Sequence, residues 1–173
     1  MARSGLAGVA APCHYIEAMK ERCEVPLGNA TPEEIREILT TARRIAVVGH
    51  SDDPARDSYR VGRYLASQDY EVFPVNPNAR STAGLRFYPD LASVPKPIDV
   101  VDIFRRPEAI PAIVDEAIRV GARAVWMQEG LAHNAAAEKA RAAGLRVVMS
   151  RCMMKDHRAL LATGAIVPGT SRS

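Results

Sequence analysis

Apolar residues fall along this chain in five short runs, separated by longer stretches whose apolar positions recur at helical spacing. Ile45–Val48, Glu71–Val75, Ile98–Ile103, Ala124–Met127 and Leu145–Met149 read as strands. Ahead of the first strand, Thr31-Pro32-Glu33-Glu34 marks a helix start: a threonine to cap, a proline for the first helical position and two acids suited to the helix dipole. Ile35, Ile38, Leu39 and Ala42 then trace one face. A second helix from about Ser58 carries Val61, Tyr64 and Leu65 and ends at Gln68-Asp69. Pro107 opens a third with Ile110, Ile113, Val114, Ala117 and Ile118 inward, and Gly121 stops it. An alanine-rich fourth runs from about His133 to Ala143. Between the second and third strands lies a long loop with Arg80, Gly84, Arg86 and the turn Tyr88-Pro89-Asp90-Leu91.

This alternation predicts an α/β fold: a Rossmann-like, doubly wound parallel sheet of about five strands in three layers, with right-handed crossovers. The expected strand order is 3-2-1-4-5. The domain is expected to span residues 31–160. Residues 1–30 lack clean periodicity and read as an N-terminal extension, with His14 to Arg22 as a short helix candidate, and residues 161–173 read as a C-terminal tail.

Composition narrows the function classes. Hydrophobic residues at 47% and charged residues at 25% suit a globular protein, and the length of 173 residues suits one domain. A net charge of +3 favours small anions mildly and is too diffuse for nucleic acid, for which 5% aromatics also leave few stacking platforms. No apolar run approaches the roughly 20 residues that span a bilayer, and Gly5 to Pro12 lack the leucine-rich core of a signal peptide. Cys13, Cys23 and Cys152 show no zinc spacing and read as reduced thiols. The expected compartment is therefore the cytoplasm.

The chemistry is expected just beyond the strands' carboxyl ends, where such sheets bind ligands. Val47-Val48-Gly49-His50-Ser51 runs a strand into a glycine turn ahead of a helix N-terminus, which is how an anion site is built. No further glycine follows until Gly62, so the three-glycine dinucleotide fingerprint is absent. An NAD enzyme places Asp or Glu after the second strand. Here Asn76-Pro77 stand there with Arg80 beyond, which suits a ribose carrying an extra phosphate, as in coenzyme A or NADP, although taken alone the pattern reads first as a plain turn followed by a solvated charge. Pro77 and Phe104 are placed to flank an adenine. Arg105 and Arg106 precede the third helix, where positive charge opposes the dipole unless an anion lies nearby.

Six runs occur in order: Val47 to Ser51, Ser58-Tyr59-Arg60-Val61, Pro74-Val75-Asn76-Pro77, Asp99 to Arg105, Trp126-Met127-Gln128-Glu129-Gly130 and Met149-Ser150-Arg151-Cys152. Together they resemble the small stand-alone CoA-binding proteins of bacteria, which are similar to the nucleotide-binding domain of the succinyl-CoA synthetase alpha subunit. The likeness covers roughly Arg36 to Leu160. It implies that Gly49 and Ser51 receive CoA phosphates and that Arg56 and Ser58 stand at polar positions opening the next helix. It implies that Asn76, Pro77 and Arg80 border the adenosine, with Phe104 and Arg105 on its other side. Gln128, Glu129 and Gly130 match the turn facing the pantetheine arm. His50 departs from the family's usual alanine at that place, and its side chain is expected either to crowd the loop or, as the favoured reading, to add a donor to the phosphate turn.

The function expected is non-covalent binding of coenzyme A or acyl-CoA. The alternatives are an NADP-dependent oxidoreductase domain and a subunit of an acyl-CoA ligase-type complex, and a protein partner or self-association stays open. No GxSxG, Walker, HExxH or cysteine–histidine pattern argues for independent catalysis. Trp126 and Met127 read as core, and His14, His133 and His157 as surface residues. Cys152 reads as a half-buried structural cysteine, with disulfide formation to the thiol of CoA as the functional alternative.

Overall fold

The computed structural model describes residues 24–79 and 85–167. The helix candidate at His14 to Arg22, Cys13, Cys23, Arg80, Gly84 and the residues from 168 onward lie outside these. The chain runs α1 (Pro32–Thr41), β1 (Arg44–Val48), α2 (Asp57–Ala66), β2 (Glu71–Val75), β3 (Val100–Ile103), a 3₁₀ turn (Pro107–Ala109), α3 (Ile110–Val120), β4 (Ala124–Met127), α4 (Asn134–Ala142), β5 (Arg146–Val148) and α5 (Met153–Ala162). Thr31 caps α1 as its residue type predicts. Its Oγ1 accepts from the Glu34 N–H at 3.2 Å, and the Glu34 carboxylate accepts from the Thr31 N–H at 2.7 Å.

All five strands are parallel, in the order β2-β1-β3-β4-β5. This corrects the expected 3-2-1-4-5. Among the described residues, only three of the four links between strands contain a helix. The fourth, from residue 76 to residue 99, lays Tyr88, Leu91, Val94 and Ile98 into the apolar layer beneath α3 and α4. That path carries the chain past β1, so β3 pairs with β1's other edge and not with β2.

The sheet separates two packed layers. Ala46, Val101, Ile103, Val125 and Met127 face α3 and α4. Ile45, Val47, Val100 and Trp126 face α1, α2 and Met153 of α5. Trp126 and Met127 are fully buried, as expected, and the Trp126 indole N–H donates to the Arg151 carbonyl at 2.7 Å. Helix α5 was not anticipated from the sequence. Residues ahead of α1 dock on the domain: the Asn29 side chain donates to the Met149 carbonyl at 2.7 Å and accepts from its N–H at 2.9 Å.

Candidate functional site

Strand register aligns Val75, Val48, Ile103 and Met127 in one row. The next residue on each strand is therefore Asn76, Gly49, Phe104 or Gln128, and four turns emerge side by side. The observed strand order matters here. It puts the β2 and β3 turns on opposite flanks of the β1 turn, so Pro77 and Phe104 stand to either side of Gly49. The chain reverses direction across the sheet at this point, between β1 and β3, which is where open α/β sheets bind ligands.

Gly49 adopts φ +87°, and a Cβ on it would lie 2.5 Å from the Phe104 carbonyl oxygen and 2.7 Å from Arg105 Cδ. Only glycine allows both the conformation and this approach. Asn76 splints the neighbouring turns: its Nδ2 donates to the His50 carbonyl at 2.9 Å, and its Oδ1 accepts from the Asn78 N–H at 3.0 Å. The Ser51 N–H donates to Ser58 Oγ at 3.1 Å, and Ser51 Oγ accepts from the Asp53 N–H at 3.1 Å. These bonds bind the loop to the start of α2. Arg56, the N-cap residue of α2, makes no side-chain cap bond, and its exposed guanidinium stands 3.9 Å from the Asp53 carboxylate. The first turn of α2 thus keeps backbone donors and a positive dipole end for an anion.

His50 does not have the place expected of its side chain. It is 2% exposed, and its ring lies so close to α2 that a Cβ on Gly62 would sit 2.4 Å from Nε2. Tyr59 and Phe87 meet it edge-on at centroid distances of 6.2 and 5.6 Å. Burial pushes its pKa below the usual histidine value, against smaller opposing influences from the Ser51 backbone and Asp52. A ring packed this way belongs to the core, and the turn after β1 is left with its backbone donors. His157 also differs from its reading as a surface residue, whereas His133 is half-buried. His133 Nδ1 accepts from the Ala136 N–H at 3.3 Å and caps α4. His157 is 2% exposed, and its Nδ1 shares a 2.9 Å hydrogen bond with the Tyr64 hydroxyl.

A groove of about 840 Å³ opens at this same end of the sheet, between α2 and α5 and beneath the turns after β3 and β4. Phe104, Gln128 and Glu129 line it, with Arg105 and Arg106 exposed at its side. Helix α5, missed in the sequence, supplies Lys155 and Arg158, and α2 supplies Arg60 and Tyr64. Five cations therefore border it against two acids, Asp57 and Glu129. Asp57 is paired with Arg60, and Glu129 accepts from Lys155 Nζ at 2.5 Å. That bond raises the Lys155 pKa. Cys152, half-buried at the N-cap of α5, also lines the groove. Gly130 donates its N–H to Ser150 Oγ at 3.3 Å, and Ser150 holds a left-handed φ of +52°, a conformation that costs a serine about 1 kcal/mol.

Gln128, 4% exposed, donates through Nε2 to Asp102 Oδ1 at 2.7 Å. Asp102 sits in mid-strand and is fully buried; burial pushes its carboxyl up to about 7, with Gln128 and the Ile103 backbone only partly opposing this. A smaller cavity of about 500 Å³ lies where the strands begin, lined by Glu37, Asp99, Arg123 and Arg146. Its charges are tied to one another and to the backbone: Glu37 pairs with Arg146, and the Asp99 carboxylate accepts from the Arg43 and Arg44 N–H groups. Among the described residues, no group of three histidines, cysteines or acids is placed to hold a metal ion. No described helix is long and apolar enough to cross a membrane.

Known proteins resemble this chain in sequence and fold. The family model described as CoA binding domain matches residues 43–158. The uncharacterized protein YneT of Bacillus subtilis is 36% identical over 129 residues, 75% of this chain and 96% of its own length. A hypothetical protein from Pyrococcus horikoshii OT3 superimposes with a TM-score of 0.74 at 42% identity, covering 80% of this chain and 97% of that one. A dinucleotide-forming acetyl-coenzyme A synthetase from Ca. Korarchaeum cryptofilum matches with a TM-score of 0.57 at 27% identity. That match covers 64% of this chain and 26% of the synthetase. By the span of the family match and the 36% identity to YneT over 75% of this chain, the protein belongs to the CoA binding domain family.

Proposed function

We propose that this protein binds coenzyme A or an acyl-CoA non-covalently across the crest of its sheet. The observation that carries the reading is the row of turns at the carboxyl ends of β2, β1 and β3. There a glycine bend and an open helix N-terminus lie between Pro77 and Phe104, beside the exposed Arg105 and Arg106. In this reading the diphosphate rests on the backbone of Gly49 to Ser51 and the first turn of α2, with Arg56 and Ser58 at its edge. Adenine lies between Pro77 and Phe104. Arg105 pairs with the ribose phosphate, a role that Arg80 would share. The pantetheine arm follows Gln128, Glu129 and Gly130 into the cationic groove. The family match supports the cofactor class, and the lack of the three-glycine fingerprint weighs against NADP.

Thermal unfolding with CoA, 3′-dephospho-CoA, NADP and NAD tests this, because a ligand that binds only the native state raises Tm. CoA is expected to give the largest shift and 3′-dephospho-CoA a smaller one, and the R105Q variant should reduce that difference. Stabilisation by NADP and none by CoA overturns the reading.

A further inference from the structure

Asp102, in mid-strand behind Gln128, has no part in the binding reading. A carboxylate enclosed by a sheet and two helices is costly unless paired. Here only one oxygen is paired: Oδ1 accepts from Gln128 Nε2 at 2.7 Å, while Oδ2 has no hydrogen-bond partner among the described residues. Asp102 alternates with Val101 and Ile103, which face α3 and α4, so its side chain lies on the α2 and α5 side, the side that holds the groove. Gln128 links the two, since it lines the groove while its amide nitrogen points back to the carboxylate.

A primary amide has a donating end and an accepting end. An ionised Asp102 can only accept, so it draws Gln128 Nε2 inward and leaves Oε1 for the groove. A protonated Asp102 carries an O–H donor and can instead bond Oε1, which turns the NH₂ outward. We propose that Asp102 determines which end of the Gln128 amide faces the groove, so that the groove floor accepts a hydrogen bond when Asp102 is ionised and can donate one when Asp102 is protonated. The inference rests on the CoA reading for its ligand. A free thiol offers a weak S–H donor and is favoured by the accepting floor; a thioester carbonyl can only accept and is favoured by the donating one. Asp102 is thus a positioning residue that tunes the choice between CoA and acyl-CoA. Because burial holds its carboxyl near neutrality, both floors are populated in the physiological pH range.

Other titratable groups face this region and set the controls. Helix α2 contributes Tyr64, Asp57 and Arg60, and α5 contributes His157, Cys152, Lys155 and Arg158. The turns contribute Arg105, Arg106, Glu129 and, over α2, the buried His50. Strands β1 and β4 present Val47 and Trp126 beside Asp102, neither of which titrates. The ligand phosphates titrate as well, so the informative quantity is the ratio of acetyl-CoA to CoA affinity, in which they cancel.

Calorimetric titration of the full chain with each ligand, at intervals from pH 5.5 to 8.5, tests the proposal. In the native protein the ratio should fall about fivefold as pH rises, a value in keeping with one hydrogen bond. In D102N the ratio should be flat. A flat native ratio with both ligands bound overturns the inference and leaves the CoA reading standing. Absence of binding by either ligand overturns the CoA reading instead. A ligand-free measurement stands apart from both: the Gln128 side-chain ¹⁵N signal should titrate with the same midpoint as the Asp102 carboxyl ¹³C signal, and a Gln128 signal that ignores that midpoint also overturns the inference.

Discussion

The two faces of the sheet are equally well buried and chemically unlike. Toward α3 and α4 the strands bury alanine, valine, isoleucine, phenylalanine and methionine, and polar groups (the Arg44–Glu71 ion pair and Asp99) stand only where the strands begin. Toward α2 and α5 the same strands and helices enclose His50, Ser58, Asp102, Gln128 and His157, each less than a tenth exposed. Burying a polar group costs stability unless it is hydrogen-bonded, and on this side His50 Nδ1 and Asp102 Oδ2 have no partner among the described residues. The difference separates scaffold from site. The α3–α4 side fixes where the strands end, and the α2–α5 side holds the groups with which a ligand can exchange hydrogen bonds.

The sharpest way to break this comparison is to move one carboxylate across the sheet. V101D puts an acid one residue from Asp102, on the apolar side, with no amide to meet it. It is expected to cost about 4 kcal/mol or more, a large part of the stability of a typical domain. Urea denaturation should find the variant largely unfolded at pH 7, and a variant as stable as the parent would erase the distinction between the faces.

The native carboxylate makes the reciprocal case. Burial raises Asp102 from the unfolded value near 3.9 to about 7 in the folded chain, so the folded state holds the proton more tightly. Its contribution is fully present below about pH 4 and is lost as pH rises through 7, which corresponds to about 4 kcal/mol at most. D102N removes that loss. The variant should match the parent at pH 4 and exceed it by about 2–4 kcal/mol at pH 8, as read by urea unfolding at the two pH values. A D102N protein that is less stable than the parent at pH 8 would mean that the carboxylate is better compensated than its unpaired Oδ2 indicates.

Much of this architecture was legible in the chain because it rests on local rules. The runs Ile45–Val48 and Ala124–Met127 could be nothing but buried strands or short core segments, and Thr31 with Glu34 could close a capping box wherever α1 packed. Gly49 could be singled out because a strand entering a turn ahead of a helix needs positive φ there. The strand order was not legible, since it depends on where the 76–99 segment packs, and there Tyr88, Leu91, Val94 and Ile98 recur three or four residues apart while Pro89, Pro95 and Pro97 deny the segment a helix. Helix α5 was hidden by its polarity: Met-Met-Lys-Asp-His-Arg buries only Met153 and His157. Asp102 stood within a recognised run, yet nothing in the run says whether an acid between valine and isoleucine faces an amide or a void. His50 read as a donor because the sequence does not reveal that Gly62, one element away, leaves room for its ring.

That contact gives the next prediction. In G62A the new methyl would lie 2.4 Å from His50 Nε2, and the imidazole cannot yield without disturbing Tyr59 and Phe87. Overpacking of this kind costs about 1–3 kcal/mol. The double variant H50A/G62A should recover at least half of the loss, because an alanine at 50 vacates the clashing volume. A double-mutant cycle measured by thermal unfolding is expected to show coupling of about 1–2 kcal/mol. Additive losses would mean that the two residues do not share a contact, and that His50 is held by something other than α2.

The smallest effect should come from the rim of the same face. Glu129 and Lys155 bond to each other at 2.5 Å, but both side chains are more than half exposed, so water and salt screen the pair. E129Q should leave Tm unchanged within error, unlike any change to the buried groups beneath it. Its effect belongs to binding. With one of the groove's two acids gone and Lys155 released, an anionic ligand meets a stronger positive field, so CoA affinity should rise about twofold in low salt and return to the parent value near 0.5 M salt. Calorimetric titration at the two ionic strengths reads this directly. A large loss of stability in E129Q would show that the polar character of this face extends to its edge as a structural requirement, and the division between rim and floor would have to be redrawn.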